Sequence, residues 1–85
     1  MSDIPRRALR QPRSLTPEQY AIDRVTRAGE TIRVEAWVVW EDGVEELTRA
    51  VVLAWTVRAV QVRWGVPPHL HEAWVWAGAV VRHPG

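Results

Sequence analysis

The feature that most constrains this chain is a two-residue alternation of apolar and polar side chains that begins near residue 31. Within 31–40 every even position is apolar, whereas the odd positions begin with Thr31, Arg33 and Glu35. This alternation predicts a β-strand with one buried face, because successive side chains of a strand point to opposite sides of the sheet. The odd positions become apolar from Trp37 onward, so the outer face there is either covered by another element or forms a binding surface.

The rest of the chain predicts short strands joined by tight turns. Asp42 and Gly43 favour a hairpin turn, and Glu45 and Glu46 interrupt the alternation, so we expect a loop before a strand that begins near Leu47. Later strand-like segments are 59–64, which ends at Gly65 and the prolines beyond it, and 73–82, which a turn at 77–79 divides. Five short strands in a chain of this length predict a mainly β fold, a small closed or nearly closed antiparallel barrel.

One helix is predicted ahead of the strands. Thr16, Pro17 and Gln19 match an N-cap, a first-turn proline and a reciprocal capping residue. Apolar residues at helical spacing continue to Ala28, and Gly29 suits a left-handed helix end. We therefore expect an Arg-rich flexible arm over 1–13, a short helix within 14–29 that spans about 17–28, and a small β-barrel over 30–83.

Composition restricts the class of protein. The chain has 85 residues, which is enough for one core, and it has no cysteine, which excludes disulfides, thiolate metal ligands and a cysteine nucleophile. Its longest apolar runs fall far short of the roughly 20 residues that span a bilayer. No apolar stretch follows the N-terminal arginines, as a secretory signal requires. We therefore expect a cytoplasmic protein with no membrane segment.

The charge of the chain is unevenly distributed. Eleven basic residues, all of them arginine, oppose ten acidic residues to give a net charge of +1. The arm carries +3 and the rest of the chain −2. The absence of lysine is typical of a high-GC genome, so an all-arginine set does not by itself indicate phosphate recognition. The arm is either a solvated tail or a nucleic-acid contact with a steep salt dependence.

The six tryptophans are the most unusual residues of the sequence. Alternation predicts that Trp40 and Trp64 lie inside the barrel and leaves Trp55 unassigned. The other three are Trp37, Trp74 and Trp76. They either complete the core, form a dimer interface, or make an exposed aromatic surface near Arg33, Arg58 and Arg63. Such a surface is suited to stacking on bases or holding a peptide cation.

A metal site and a catalytic site are both disfavoured. His69 and His71, with Glu72 or His83, form the one metal-like cluster, but it follows two prolines in a predicted loop and lacks thiolates. Both serines lie outside the predicted barrel, and no glycine-rich phosphate loop or paired carboxylates are present. We expect no metal, no cofactor and no enzymatic activity.

The strand order and the final segment carry a resemblance to a known architecture. A long strand, an acidic turn, a strand, a hairpin and the segment 74–80 are similar to the SH3-like and Tudor-like small barrels, over about 30–83. Those barrels commonly finish with an aromatic-rich strand, a 3₁₀ turn and a short closing strand, so the resemblance implies a five-stranded SH3-like barrel. Segments 54–60 and 72–80 also resemble short uncharacterised proteins of high-GC bacteria.

These observations predict a non-catalytic binding module. In one hypothesis it associates with nucleic acid, with the arm on phosphates and the tryptophan surface stacking on bases. In the alternative the apolar tryptophan face mediates protein–protein interaction or homo-oligomerisation, since interface cores are rich in aromatic residues and arginine. The candidate binding residues are Arg6, Arg7, Arg10, Arg13, Arg33, Trp37, Arg58, Arg63, Trp74 and Trp76.

Overall fold

The computed structural model describes residues 11–82, so the predictions for Arg6, Arg7 and Arg10 concern residues outside the described range. The chain is mainly β, as predicted. Its elements are helix α1 (Pro17–Tyr20), a 3₁₀ turn (Ile22–Arg24), strands β1 (Thr26–Arg27), β2 (Arg33–Val39), β3 (Glu45–Trp55), β4 (Ala59–Val66) and β5 (His69–Trp76), a second 3₁₀ turn (Ala77–Ala79) and β6 (Val80–Arg82). Among these residues no helix is long and apolar enough to cross a membrane.

The strands form one antiparallel sheet in the order β5–β4–β3–β2–β6, with β1 paired to the end of β3. The described residues therefore form six strands rather than the predicted five, and the sheet is open, with β5 and β6 at its edges. The sixth strand is β1, a two-residue strand in which Thr26 lies opposite Trp55. This strand falls inside the segment for which a helix was predicted.

The predicted helix is shorter in the structure than the sequence suggested. The capping box is confirmed, since Gln19 N donates to Thr16 Oγ1 at 3.3 Å and Thr16 N donates to Gln19 Oε1 at 2.9 Å. The helix ends at Tyr20 because Ala21 takes a left-handed backbone, with φ 64°. Gly29 is thus not the helix stop, and the chain gains backbone pairing with β3 instead of further helical turns.

Two predicted loops are strands. β3 begins at Glu45 rather than near Leu47, and β5 begins at His69. In both cases the partner strand supplies backbone hydrogen bonds whatever the polarity of the side chain: Glu45 pairs with Val39, and His69 pairs with Val66. The Asp-Gly hairpin turn between β2 and β3 is confirmed, and Gly43 there has a φ of 87°.

The main core lies on the inner face of the curled sheet. Its members are Val34, Ala36, Val38, Trp40, Ala50, Val52, Val62, Trp64, Ala73 and Val75. Strands β2 and β5 are not neighbours in the sheet, yet both contribute, so the sheet wraps around this core. Trp40 and Trp64 are buried as predicted, and their rings meet edge to face at 6.0 Å. Trp55 packs against the same core while partly exposed.

A second, smaller cluster lies on the outer face. It consists of Tyr20, Ala54, Ala59 and Trp74, with Leu15 and Val25 packed against it. A register shift in β3 between Val52 and Ala54 turns Ala54 towards this cluster. The Tyr20 and Trp74 rings stack at 4.0 Å and are parallel within 2°. The N-terminal part of the chain therefore covers this half of the outer face.

Residues 11–15, here called the N-terminal segment, are hydrogen-bonded to two separate parts of the sheet. The contacts are Arg13 N to Val39 O at 2.7 Å, Glu41 N to Gln11 O at 2.9 Å, Leu15 N to Trp74 O at 3.0 Å and Trp74 N to Ser14 Oγ at 2.8 Å. The last three residues of the predicted arm thus belong to the folded body in this structure, and the rest of the arm lies outside the described residues.

Gly65 is expected to be the least replaceable glycine of the sheet. Its φ is 103°, and a Cβ at this position would meet the backbone carbonyl oxygen of His69. We expect Gly65→Ala to lower the free energy of unfolding by about 1–3 kcal/mol through backbone strain and this clash. Gly78, which has open space around it, is the control, and Gly78→Ala should change stability by less than about 0.5 kcal/mol. Urea denaturation measures the free energy of unfolding of both variants. Equal losses for the two would contradict the special role given to Gly65.

Candidate functional site

The structure distributes the predicted binding residues over several places. Arg33 and Arg63 line one groove, and Trp37 lies further along the same outer face. Arg58 and Trp76 lie close together where β4 begins and β5 ends. Trp74 is buried. Arg13 lies beside Glu41. The predicted set therefore does not form one surface.

The groove, here called the arginine groove, crosses three neighbouring strands. Arg33 on β2, Val51 on β3 and Arg63 on β4 lie opposite one another in one row of the outer face. Arg49 occupies the next outward position of β3. The groove has a volume of about 480 Å³, and its lining also includes Trp64, Gly65 and Leu70. Three arginines from neighbouring strands thus line a groove that also has apolar lining residues.

Arg49 was missed by the sequence analysis. The irregular alternation of β3 concealed which of its side chains point outward. The pairing with β2 settles the question, because Glu35, whose side chain shares the face of Arg33, lies directly opposite Arg49. In the sequence, Arg49 lies two residues after Leu47 and two residues before Val51, which is the spacing of side chains on one face of a strand.

The three arginines differ in how they are held. Arg33 and Arg49 are exposed, and neither has an ion-pair partner among residues 11–82. Arg63 donates from Nη2 to Glu72 Oε2 at 3.1 Å, and both side chains are nearly half exposed. Its Nε atom is buried and donates to no partner in the described part of the chain. An exposed ion pair of this kind contributes less than about 1 kcal/mol, so an incoming anion can compete with Glu72.

Trp37 is the exposed tryptophan nearest to this groove in the sheet. Its side chain is 49% exposed and lies opposite Leu47, which is 45% exposed. Val81 on β6 lies opposite Glu35, which is the neighbour of Trp37 on the same face of β2, and Val81 is also exposed. These three residues form the Trp37 patch. It adjoins the arginine groove because Arg49 is the next outward residue after Leu47 on β3.

Trp74 does not belong to an exposed aromatic surface. It is 9% exposed and stacks on Tyr20, so the surface predicted from Trp37, Trp74 and Trp76 does not form as a unit. The sequence reveals that Trp74 shares a face with Trp76 but not that the N-terminal segment covers that face. Trp76 remains 48% exposed, opposite Ala59 and close to Arg58, whose carbonyl accepts from Ala77 N at 2.9 Å.

The histidines lie on β5 rather than in a loop. His71 packs its ring against Trp40 at 5.0 Å and Trp64 at 5.5 Å, so its position is explained by packing at the edge of the main core. Within the described range, no group of three or more histidine and acidic side chains is placed to hold a metal ion.

Comparison of the chain with protein-family models, with curated proteins and with solved structures gave no significant match.

Two tryptophan variants test the assignment of the outer face. Trp74→Ala removes the ring that stacks on Tyr20, and we expect a loss of about 3–5 kcal/mol in the free energy of unfolding. Trp37→Ala should cost less than about 1 kcal/mol, since half of that side chain is already in solvent. Chemical denaturation followed by tryptophan fluorescence measures both. A large loss for Trp37→Ala would place Trp37 in the core.

Proposed function

We propose that this chain is a non-catalytic binding module that associates with nucleic acid through the arginine groove. The observation that supports the proposal is that Arg33, Arg49 and Arg63, from three adjacent strands, line one groove together with apolar residues. Guanidinium groups form paired hydrogen bonds with phosphate oxygens and keep their charge at any physiological pH. Two of the three have no competing carboxylate contact among the described residues.

Trp37 supplies the aromatic component of the proposed site. It lies on the same outer face of β2 as Arg33, with one outward residue, Glu35, between them. Stacking of one base on an exposed aromatic ring contributes about 1–3 kcal/mol and tolerates any base. A phosphate backbone in the arginine groove would thus leave a neighbouring base within reach of Trp37.

Two acidic residues lie beside the groove, since Glu35 is opposite Arg49 and Glu72 is paired with Arg63, and other acidic residues lie further away. Four of them, Glu41, Asp42, Glu45 and Glu46, surround the β2–β3 turn. Arg33 begins β2 and Val39 ends it, so this acidic end lies about 20 Å from Arg33 at the usual rise of a strand. On β3, however, Glu46 is three residues from Arg49, which is about 10 Å. The screening length at moderate salt is also about 10 Å, so Arg33 is the groove arginine that the acidic end affects least.

The Arg-rich arm is proposed as a second contact with phosphates. Gln11 is hydrogen-bonded to Glu41, so the arm joins the body at the acidic end, away from the arginine groove. Arg6, Arg7 and Arg10 would then bind a part of the nucleic acid that lies outside the groove.

We also propose the SH3-like architecture for this sheet. In support, β5 carries Trp74 and Trp76, a 3₁₀ turn follows at Ala77–Ala79, and the short β6 then pairs with β2. The sheet curls around one core although its edges remain unpaired with each other.

The proposal is tested by the salt dependence of binding. A labelled mixed-sequence oligonucleotide is titrated with the protein at several salt concentrations, and fluorescence anisotropy gives the affinity. The slope of log affinity against log salt is negative, and each lost phosphate contact reduces its magnitude by about 0.7–0.9. We expect this decrease for Arg33→Gln, Arg49→Gln and Arg63→Gln.

Arg58→Gln is the matched control, because it removes the same charge outside the groove and should leave the slope nearly unchanged. Equal decreases for Arg58 and the groove variants would assign the effect to general charge. Absence of binding at low salt would reject the nucleic-acid proposal.

A second candidate function is protein–protein interaction or self-association through the Trp37 patch. The supporting observation is that Trp37, Leu47 and Val81 are exposed apolar side chains on three neighbouring strands. Sedimentation equilibrium measures self-association directly, and Trp37→Ser should abolish any dimer formed by this patch. Val57→Ser is the control, since Val57 is 91% exposed at the separate β3–β4 turn. A dimer that persists in Trp37→Ser would exclude the patch.

A further inference from the structure

A second depression lies next to the arginine groove on the sheet. This depression has a volume of about 430 Å³ and is lined by the loop 28–31 together with Val51, Val52, Leu53 and Arg63. Val51 and the half-exposed Arg63 line both depressions, so the two are adjacent. The two depressions together are here called the trough.

The trough combines positive charge with an apolar floor. Its charged lining residues are Arg33, Arg49, Arg63 and Glu30, which sum to +2, and two further carboxylates adjoin it, Glu72 paired with Arg63 and Glu35 opposite Arg49. The apolar side chains Val51, Leu53 and Leu70 lie between them. A ligand that matches this lining needs negative charges at intervals and apolar faces that are free to make contact.

We infer that the trough binds an unpaired nucleic-acid strand and discriminates against a duplex; this rests on the proposed nucleic-acid function. In a duplex the base faces are stacked on one another and only phosphates, sugars and base edges are exposed, so the apolar floor would lose its hydration without gaining a partner. An unpaired strand is flexible and presents both phosphates and base faces. Each depression is also within the usual range of pockets for small ligands, about 300–1,000 Å³, so each has room for a segment of the strand.

Arg63 is the central contact of this inference. It sits where the strand would pass from one depression to the other, and its Nη2 is held by Glu72 in the free protein. A phosphate at this point replaces the Glu72 carboxylate as the partner of Arg63. Glu72→Gln removes the competing charge and should therefore tighten binding of the strand, whereas Glu18→Gln, which removes the same charge on α1, should not.

The first experiment compares a labelled single strand of about 12 nucleotides, within the site sizes of small β-barrel domains, with the same strand annealed to its complement. We expect the single strand to bind the full chain at least about tenfold more tightly, the effect of one stacked base. Equal affinities for the two forms would overturn the inference while leaving the proposed function intact. Absence of binding to both would reject the proposed function itself.

The second experiment tests the continuity of the trough. Affinity should rise between strands of about four and about eight nucleotides, as the second depression becomes occupied. Thr31→Glu places a negative charge in the second depression and should remove this gain, so that it lowers the affinity for the long strand more than that for the short strand. Val57→Glu adds the same charge at the exposed β3–β4 turn and is the control. A gain with length that survives Thr31→Glu would confine the ligand to the first depression and overturn the inference.

Discussion

The stack of Tyr20 on Trp74 determines which part of the outer sheet face is covered and which part stays open. Around these two parallel rings, Ala54 and Ala59 become completely buried although they lie on the face away from the main core. Within residues 11–82, no such cluster covers the rest of the outer face, over β2, β3 and the middle of β4. The arginine groove and the Trp37 patch both lie on this uncovered part, so the position of the proposed site follows from where the N-terminal segment packs.

The proposed site also shows why net charge is a poor guide for a chain this small. Arg33, Arg49 and Arg63 come from separate parts of the sequence, and only strand pairing brings them into one groove. The acidic residues near the β2–β3 turn are close in sequence and remain together at one end of the sheet. An approaching anion meets a local field, to which Glu35 and Glu72 contribute at the groove beside the three arginines.

Features that depend on local sequence were predictable, whereas features that depend on packing were not. The buried positions of Trp40 and Trp64, the Asp-Gly turn and the capping box follow from alternation, turn chemistry and side-chain hydrogen bonding over a few residues. The end of α1 at Ala21 was not predictable, because alanine rarely takes a left-handed backbone and favours helix instead. The register shift near Leu53 interrupts the alternation of β3. The side chains of β3, including Arg49, could therefore not be assigned to a face from the sequence. The burial of Trp74 depends on Ser14, Leu15 and Tyr20, which lie more than fifty residues earlier in the chain.

The hydrogen bond between Ser14 and Trp74 joins residues sixty positions apart, and this separation affects the order of events during synthesis. Ser14 is synthesised before Trp74, so this bond can form only after β5 has been made. The strands β2, β3 and β4 pair between neighbours in sequence, which favours rapid formation, and they carry all three groove arginines. The pairing that brings these arginines together therefore does not depend on the bonds from Ser14 and Leu15 to Trp74.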